Sequence, residues 1–384
     1  GGSASEFTWS AINSALKAHL NKATPTASSD GDGAKRLEFI RGDRSDEGTL
    51  FRLRNSRMGD IINSGAAYSG VPSTKYSSTS SYKAFYNSNK TRTKAVFVGA
   101  NDGMLHGFNA ETMDELFAYI PSWLGSNLST LSSTAYNSSG HTSYVDAQPT
   151  VGEAEVSGAW KTVLVSGTGG GGQGVFALDV TNPTSFDASK VLWEFTDAND
   201  SDLGNVLGQP QIVKLRVSAP TASTPSYKWF AAVASGVNNY VNDGTDKFST
   251  TGKPALFLLD LSKPKTTAWS LGTNYFKINF PVSNDLAIGT QELDIHGSGT
   301  GQGKATGVIN FEYTNGDVDA VEFFYVGDLH GQFWKLDMAK ADFSSADVAS
   351  WNLDEISAYK DSSDQAVPMY IAKDNNSKVQ PISM

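Results

Sequence analysis

AVFVGANDGMLHGFN at residues 95–109 returns without a gap as FFYVGDLHGQFWKLD at residues 323–337. Each copy has the form of a short apolar strand that ends in Gly, a turn, and a second apolar strand that ends in Asn or Asp. Two further copies lie between them and end at Asp179 and Asp260. Internal self-similarity of this kind is the signature of a repeat architecture. The chain is therefore predicted to be built from equivalent units.

The spacing of the copies indicates how large each unit is. The final Asn or Asp stands at positions 109, 179, 260 and 337, so the spacings are 70, 81 and 77 residues. They exceed the ~40–50 residues of a compact propeller repeat, which predicts loops inserted between strands. Short β-branched and aromatic strands with Gly and Asn-Asp turns predict an all-β protein. Four strands per unit predict a β-propeller with quinoprotein-like repeats.

Further strands are expected before and after each repeated pair. Residues 115–117 and 193–195 have the character of an outer strand that closes a blade. A polar-Pro-apolar signature marks an additional strand, with Gln-Pro pairs at positions 148–149, 209–210 and 380–381. The last pair stands a few residues before the end of the sequence. It predicts a new blade that this chain begins and does not finish.

The chain is predicted to divide into two segments. Residues 1–34 are expected to form an N-terminal helix and linker, because residues 7–20 place apolar side chains at near-helical spacing. Residues 35–384 are expected to form the propeller, incomplete at its C-terminal end. Three long insertions are predicted, at residues 68–90, 124–141 and 238–252.

Composition excludes several classes of function. The 30 basic and 40 acidic residues give a formal net charge of −10, which argues against a nucleic-acid partner. The apolar runs, such as residues 229–234 and 255–259, are far shorter than the ~20 residues that a membrane span needs. With no Cys, the chain has no disulfide, thiol nucleophile or cysteine metal ligand.

One acidic segment is a candidate metal site. Oxygen-bearing side chains alternate at Asn315, Asp317 and Asp319, and Glu322 closes the run. A hard cation such as Ca²⁺ takes oxygen ligands in this kind of pattern. The alternative is an Asn-Gly hairpin turn with exposed acids. Residues 197–202 and 30–32 carry weaker versions of the pattern, and solvated turns are expected for both.

A second candidate is a binding motif at Arg41, Gly42 and Asp43, which spell the tripeptide that integrins recognise. The alternative is a structural role, since the charged neighbours Arg44 and Glu47 predict a local salt-bridge network.

Several stretches carry a resemblance to a known family. They are residues 40–45, 51–54, 59–64, 99–108, 120–122, 174–179, 207–210 and 325–335. In this order they resemble the C-terminal domain of the PilC/PilY family, the type IV pilus tip-associated adhesins and assembly factors. The resemblance covers most of residues 37–338.

The resemblance implies a modified seven-bladed propeller, export from a Gram-negative bacterium, and a place at the pilus tip, cell surface or outer membrane. It implies roles in pilus extension and in attachment to host surfaces, with pilus tip or minor pilin subunits and a host receptor protein or glycan as partners. It also implies a calcium loop where residues 315–322 stand. This segment is one residue shorter than the family's loop and lacks its central Gly.

The competing class is an enzyme, a PQQ-dependent quinoprotein dehydrogenase, because its propellers share the Gly-turn-strand repeat. That class would require a Trp-docking motif in most blades, and residues 110–117 offer a single poor match. It would also require a paired Cys near the cofactor, and the chain has none. The sequence therefore favours a non-enzymatic pilus adhesin and assembly module.

Overall fold

The computed structural model describes residues 4–136, 140–239, 248–281, 308–316, 319–377 and 379–382. Across these residues, sixteen strands form four antiparallel sheets, each with four strands in chain order. The first sheet contains β1 (Ala67–Ser69), β2 (Ala95–Gly99), β3 (Leu105–Asn109) and β4 (Glu115–Tyr119). The second contains β5 (Thr150–Val156), β6 (Ala159–Gly167), β7 (Gly174–Asp179) and β8 (Val191–Thr196).

The other two sheets repeat this arrangement. The third contains β9 (Gln211–Arg216), β10 (Tyr227–Ala234), β11 (Ala255–Asp260) and β12 (Tyr275–Asn279). The fourth contains β13 (Val308–Asn315), β14 (Val321–Asp328), β15 (Gln332–Asp337) and β16 (Tyr370–Ile371). The predicted all-β propeller is confirmed, and each repeated hairpin forms the second and third strands of a sheet. The predicted number of seven blades stays a prediction.

Four helices accompany the sheets in the described residues. They are α1 (Ser14–Leu20), α2 (Gly33–Ile40), α3 (Ser80–Asn89) and α4 (Leu353–Ile356). The helix predicted at 7–20 begins only at Ser14, because the Asn13 side chain accepts the Leu16 N–H at 2.8 Å and caps it there. Leu20 and Leu37 share one core with Phe97 of β2, and α1 and α2 pack against each other and against the 3₁₀ turns at residues 122–132. None of the helices described is long and apolar enough to cross a bilayer.

Three apolar cores fill the spaces between successive sheets. Strand β7 contributes Phe176 to the core against the first sheet and Val175 to the core against the third. Strand β11 likewise divides Phe257 and Leu258 between the cores on its two sides. A strand buried on both faces requires apolar residues at every position. This burial accounts for the unbroken apolar run at the start of β11.

In three of the four repeats, the Gly near the end of the second strand lies against the segment that leads to the next sheet. A Cβ added to Gly99 would lie 2.3 Å from the carbonyl oxygen of Val145, which is on the segment leading to the second sheet. A Cβ at Gly167 would meet the Val206 side chain at 2.9 Å, and one at Gly327 would meet the Ile382 side chain at 2.5 Å. The chain therefore passes over these three glycines on its way to the next unit, whereas Gly236 of the third repeat meets Asn205, on the segment that leads to its own sheet.

The end of the described chain follows the same rule. The Ile382 N–H donates to the Asp328 carbonyl at 3.0 Å, as the Val145 N–H donates to the Ala100 carbonyl at 3.3 Å. Ile382 therefore occupies the position that Val145 holds four residues before Pro149. The Gln380-Pro381 pair lies before this position, whereas the Gln148-Pro149 pair lies after it. The pair at 380–381 is therefore not structurally equivalent to the earlier Gln-Pro pairs, although their sequences match.

We expect Gly99→Ala to lower the free energy of unfolding by about 1–3 kcal/mol, because the new methyl group would force the Val145 backbone away. Urea denaturation measures this loss. Gly152→Ala in β5 is the matched control, since the nearest atom to its added Cβ is Ile212 Cδ1 at an ordinary 3.5 Å. Equal losses in both variants would contradict the close-approach explanation.

Candidate functional site

The Arg41-Gly42-Asp43 turn directly follows helix α2. Gly42 has φ of +106°, a left-handed conformation that favours glycine. The Arg41 and Asp43 side chains are exposed, and Arg41 lies 3.5 Å from Glu38. One Asp43 carboxylate oxygen accepts the Ser45 N–H at 2.7 Å. This hydrogen bond lowers the pKa of Asp43, which keeps the carboxylate charged.

The salt-bridge network predicted beside this turn also forms, but it leaves the Asp43 carboxylate out. Glu47 is buried and accepts Arg54 at 2.6 Å and Arg44 at 3.0 Å. The Arg54 guanidinium stacks 3.7 Å above the Phe39 ring and donates to the Asp43 carbonyl at 2.7 Å. The network fixes the backbone of the turn while its charged side chains face solvent. An open groove of about 280 Å³ lies beside Asp43.

The predicted metal ligands lie at the β13–β14 hairpin. The Gly316 N–H donates to the Ala320 carbonyl at 2.9 Å, so the predicted alternative of a hairpin turn is present. Asp319 adopts φ of +58° and accepts the Asn315 side-chain amide at 2.7 Å. Glu322 is exposed, and Asp317 lies outside the described residues.

The described side chains of this turn are engaged by other groups of the protein. Asn315 directs its amide nitrogen, not its oxygen, at Asp319. The Lys75 ammonium lies 2.7 Å from the same carboxylate. Within the described ranges, no three acidic or histidine side chains converge as a metal would require. The calcium site stays a prediction.

The predicted solvated turn at 197–202 is wrong, because Asp200 and Asp202 hold a lysine from another sheet. Lys277 of β12 lies 2.8 Å from both carboxylates. The Tyr275 hydroxyl donates to Asp200 at 3.0 Å, and Ser249 donates to Asp202 at 2.5 Å. Burial alone would lower the pKa of Lys277, but the two carboxylates outweigh it and raise that pKa. The lysine therefore stays charged between the second and third sheets.

Sequence reasoning missed a contact surface formed by the insertion between β1 and β2. We call residues 70–90 of this insertion the cap. Tyr76 of the cap stacks on Trp160 of β6, with ring centroids 5.1 Å apart, and meets Trp229 of β10 edge-on at 5.6 Å. Tyr82 of α3 packs edge-on against Trp160 at 4.7 Å. Lys75 of the cap also lies beside Asp319 of the β13–β14 hairpin, so the cap contacts hairpins of the second, third and fourth sheets. The Tyr-rich composition of the insertion was its only sequence signal.

His106 of β3 is buried and pairs with two carboxylates. Its Nδ1 lies 2.6 Å from Glu115 and its Nε2 lies 3.1 Å from Asp102. Burial would lower the pKa of His106, but hydrogen bonds to these two carboxylates and their charges outweigh it and raise the pKa to about 9. His141 pairs with Asp60 at the surface, 3.0 Å away. His296 lies outside the described residues.

Sheets of four antiparallel strands that follow one another in the chain and pack face to face define a β-propeller protein. Within that class, the chain belongs to the PilY1 family: the family model described as the PilY1 beta-propeller domain matches residues 58–268. The resemblance drawn from the sequence is thereby confirmed.

Known relatives agree with this membership. The chain is 33% identical over 367 residues to a type IV pilus biogenesis factor PilY1 homolog of Xylella fastidiosa, covering 90% of this chain and 21% of the relative. It is 34% identical over 341 residues to type IV pilus biogenesis factor PilY1 of Pseudomonas aeruginosa strain UCBPP-PA14, covering 86% and 25%. The chain therefore spans only a fifth to a quarter of these relatives.

A solved structure matches as well. The crystal structure of the Pseudomonas aeruginosa PilY1 C-terminal domain superposes with a TM-score of 0.51 at 26% identity. The match covers 79% of this chain and half of that domain.

We expect the contribution of His106 to stability to depend on pH. The folded pKa is raised above the usual 6.5, so the contribution is complete below about pH 6.5 and is lost as the pH rises through about 9. The difference in unfolding free energy between wild type and His106→Gln should shrink by about 2–3 kcal/mol over that interval. Urea denaturation at several pH values measures it. If the difference in unfolding free energy did not change with pH, the His106 side chain would not be a charged imidazolium in the folded protein.

Proposed function

We propose that this chain is the propeller of an exported type IV pilus biogenesis factor that promotes pilus extension. Membership of the PilY1 family carries this proposal. Both relatives compared are named as type IV pilus biogenesis factors, and both come from Gram-negative bacteria. The partners proposed are pilus tip or minor pilin subunits. The location proposed is the pilus tip, the cell surface or the outer membrane.

We also propose that the domain takes part in attachment to host surfaces. The Arg41-Gly42-Asp43 turn supports this because its two charged side chains face solvent while its backbone is held by Arg54. The partner would be an integrin-type receptor or another host protein. Loops of the propeller faces, rich in Tyr, Asn and Ser, suit polar contacts with protein or glycan.

The enzyme alternative is not favoured. The relatives are named as biogenesis factors and not as dehydrogenases. An absorbance spectrum of the purified protein tests this directly, since a bound quinone cofactor would absorb. Calcium regulation through Asn315, Asp317, Asp319 and Glu322 stays a prediction.

We expect a full-length protein that lacks residues 35–384 to fail to restore surface pili in a deletion strain, because the proposed assembly role lies in this propeller. Electron microscopy and shear preparations of pili measure the result. Complementation with the full-length wild-type gene is the control, and immunoblots must show equal secretion. Normal piliation by the truncated protein would place pilus assembly outside this domain.

We expect Asp43→Glu to reduce binding to purified integrin by about ten- to a hundredfold, the loss that accompanies one misplaced charged hydrogen bond. Asp187→Glu is the matched control, because Asp187 is also exposed and also caps a serine N–H at 2.7 Å. Surface plasmon resonance on the secreted protein measures binding. Equal binding by both variants and wild type would reject the integrin motif without affecting the assembly proposal.

A further inference from the structure

The three oxygen-rich turns that suggested a cation in the sequence share one property. A basic side chain from outside the turn lies at a carboxylate of each. Arg36 lies 2.7 Å from Asp30, Lys277 lies 2.8 Å from Asp200 and Asp202, and Lys75 lies 2.7 Å from Asp319. In each turn, a side chain of the protein supplies the positive charge that the acidic pattern requires.

We propose that the Lys75 ammonium is the resident cation at Asp319 of the β13–β14 hairpin, and that it fixes the cap to the fourth sheet in place of a divalent metal. Lys75 belongs to the cap, whereas Asp319 belongs to the β13–β14 hairpin. The ion pair therefore links the first and fourth sheets. Neither the proposed pilus role nor the adhesin role is needed for this inference.

The coordination of Asp319 supports the proposal. Its carboxylate lies 2.7 Å from the Lys75 ammonium and accepts the Asn315 side-chain amide at 2.7 Å. Burial would raise the pKa of Asp319, but Lys75, Tyr76 and Asn315 outweigh it and lower that pKa. Both donors lie at Oδ1, so a metal ion could take that oxygen only by displacing them. A calcium ion takes six to eight oxygen ligands, and a carboxylate engaged in this way supplies them poorly.

The position of Lys75 is determined by its neighbour in the chain. Tyr76 is held between Trp160 and Trp229, so the backbone of the cap is already ordered next to the hairpin. The lysine then needs to order only its own side chain to reach Asp319. A divalent ion at Asp319 would meet the ammonium at close range, and the two charges would repel each other. Metal binding at this carboxylate and the closed cap therefore compete.

Hydrogen exchange on the full-length secreted protein tests the proposal at the Ser77 and Thr79 amides, which donate to carbonyls within the cap. Lys75 is 53% exposed and Asp319 24% exposed, so the ion pair is a partly solvated one. Lys75→Met is expected to speed exchange at these amides about two- to fivefold. Lys83→Met is the matched control, since Lys83 is an exposed lysine of the same cap that forms no ion pair among the described residues.

Wild-type exchange should be the same in millimolar Ca²⁺ and in EDTA. Asp319→Asn should match Lys75→Met, and the double variant should add nothing further, as expected for two partners of one interaction. Wild-type rates in Lys75→Met would overturn the proposal. The proposal would also be overturned if EDTA accelerated exchange in the wild-type cap as much as Lys75→Met does, because a divalent ion would then hold the turn.

Discussion

In three of the four repeats, a connecting segment passes directly over the glycine near the end of the second strand of a sheet, and the fold depends on this close approach. At Gly99 no side chain can stand between the strand and the Val145 carbonyl, while at Gly167 and Gly327 an added Cβ would meet the side chains of Val206 and Ile382. This approach directs the chain to the next sheet and lets neighbouring sheets pack face to face. The three cores between the sheets exist because the connecting segments lie so close.

Sequence reasoning recovered the sheets because their periodic signals are local. The Gly, the turn and the closing Asp lie within one hairpin, so Ala95–Gly99 and Ala255–Asp260 could be recognised from their own residues. Helix α3 was missed because its Ser, Tyr and Asn composition is typical of a loop and its stability comes from Tyr82 packing on Trp160. The Gln380-Pro381 pair was misinterpreted for a related reason. Its sequence matches the earlier Gln-Pro pairs, but its position relative to the residue that passes over the glycine does not.

The candidate sites also differ in how much of each could be predicted from the sequence. The Arg41-Gly42-Asp43 motif could be found in the sequence, but its exposed position after helix α2 could not. The acidic turns could be found, but the partners of their carboxylates could not. Lys75 and Lys277 come from distant parts of the chain, and nothing near Asp319 or Asp202 in the sequence indicates them. In these two oxygen-rich segments, a lysine from a distant part of the chain provides the positive charge that a metal ion would otherwise provide.

The cap joins the beginning of the propeller to its fourth sheet, and this has a consequence for the order of folding. Tyr76 and Lys75 can reach Trp160, Trp229 and Asp319 only after the second, third and fourth sheets have formed. Contacts between residues so far apart in sequence carry a large loop-closure entropy and form late. In a chain that emerges from its N-terminus first, the cap is thus among the last elements to dock, and its ordering reports that the fourth sheet is in place.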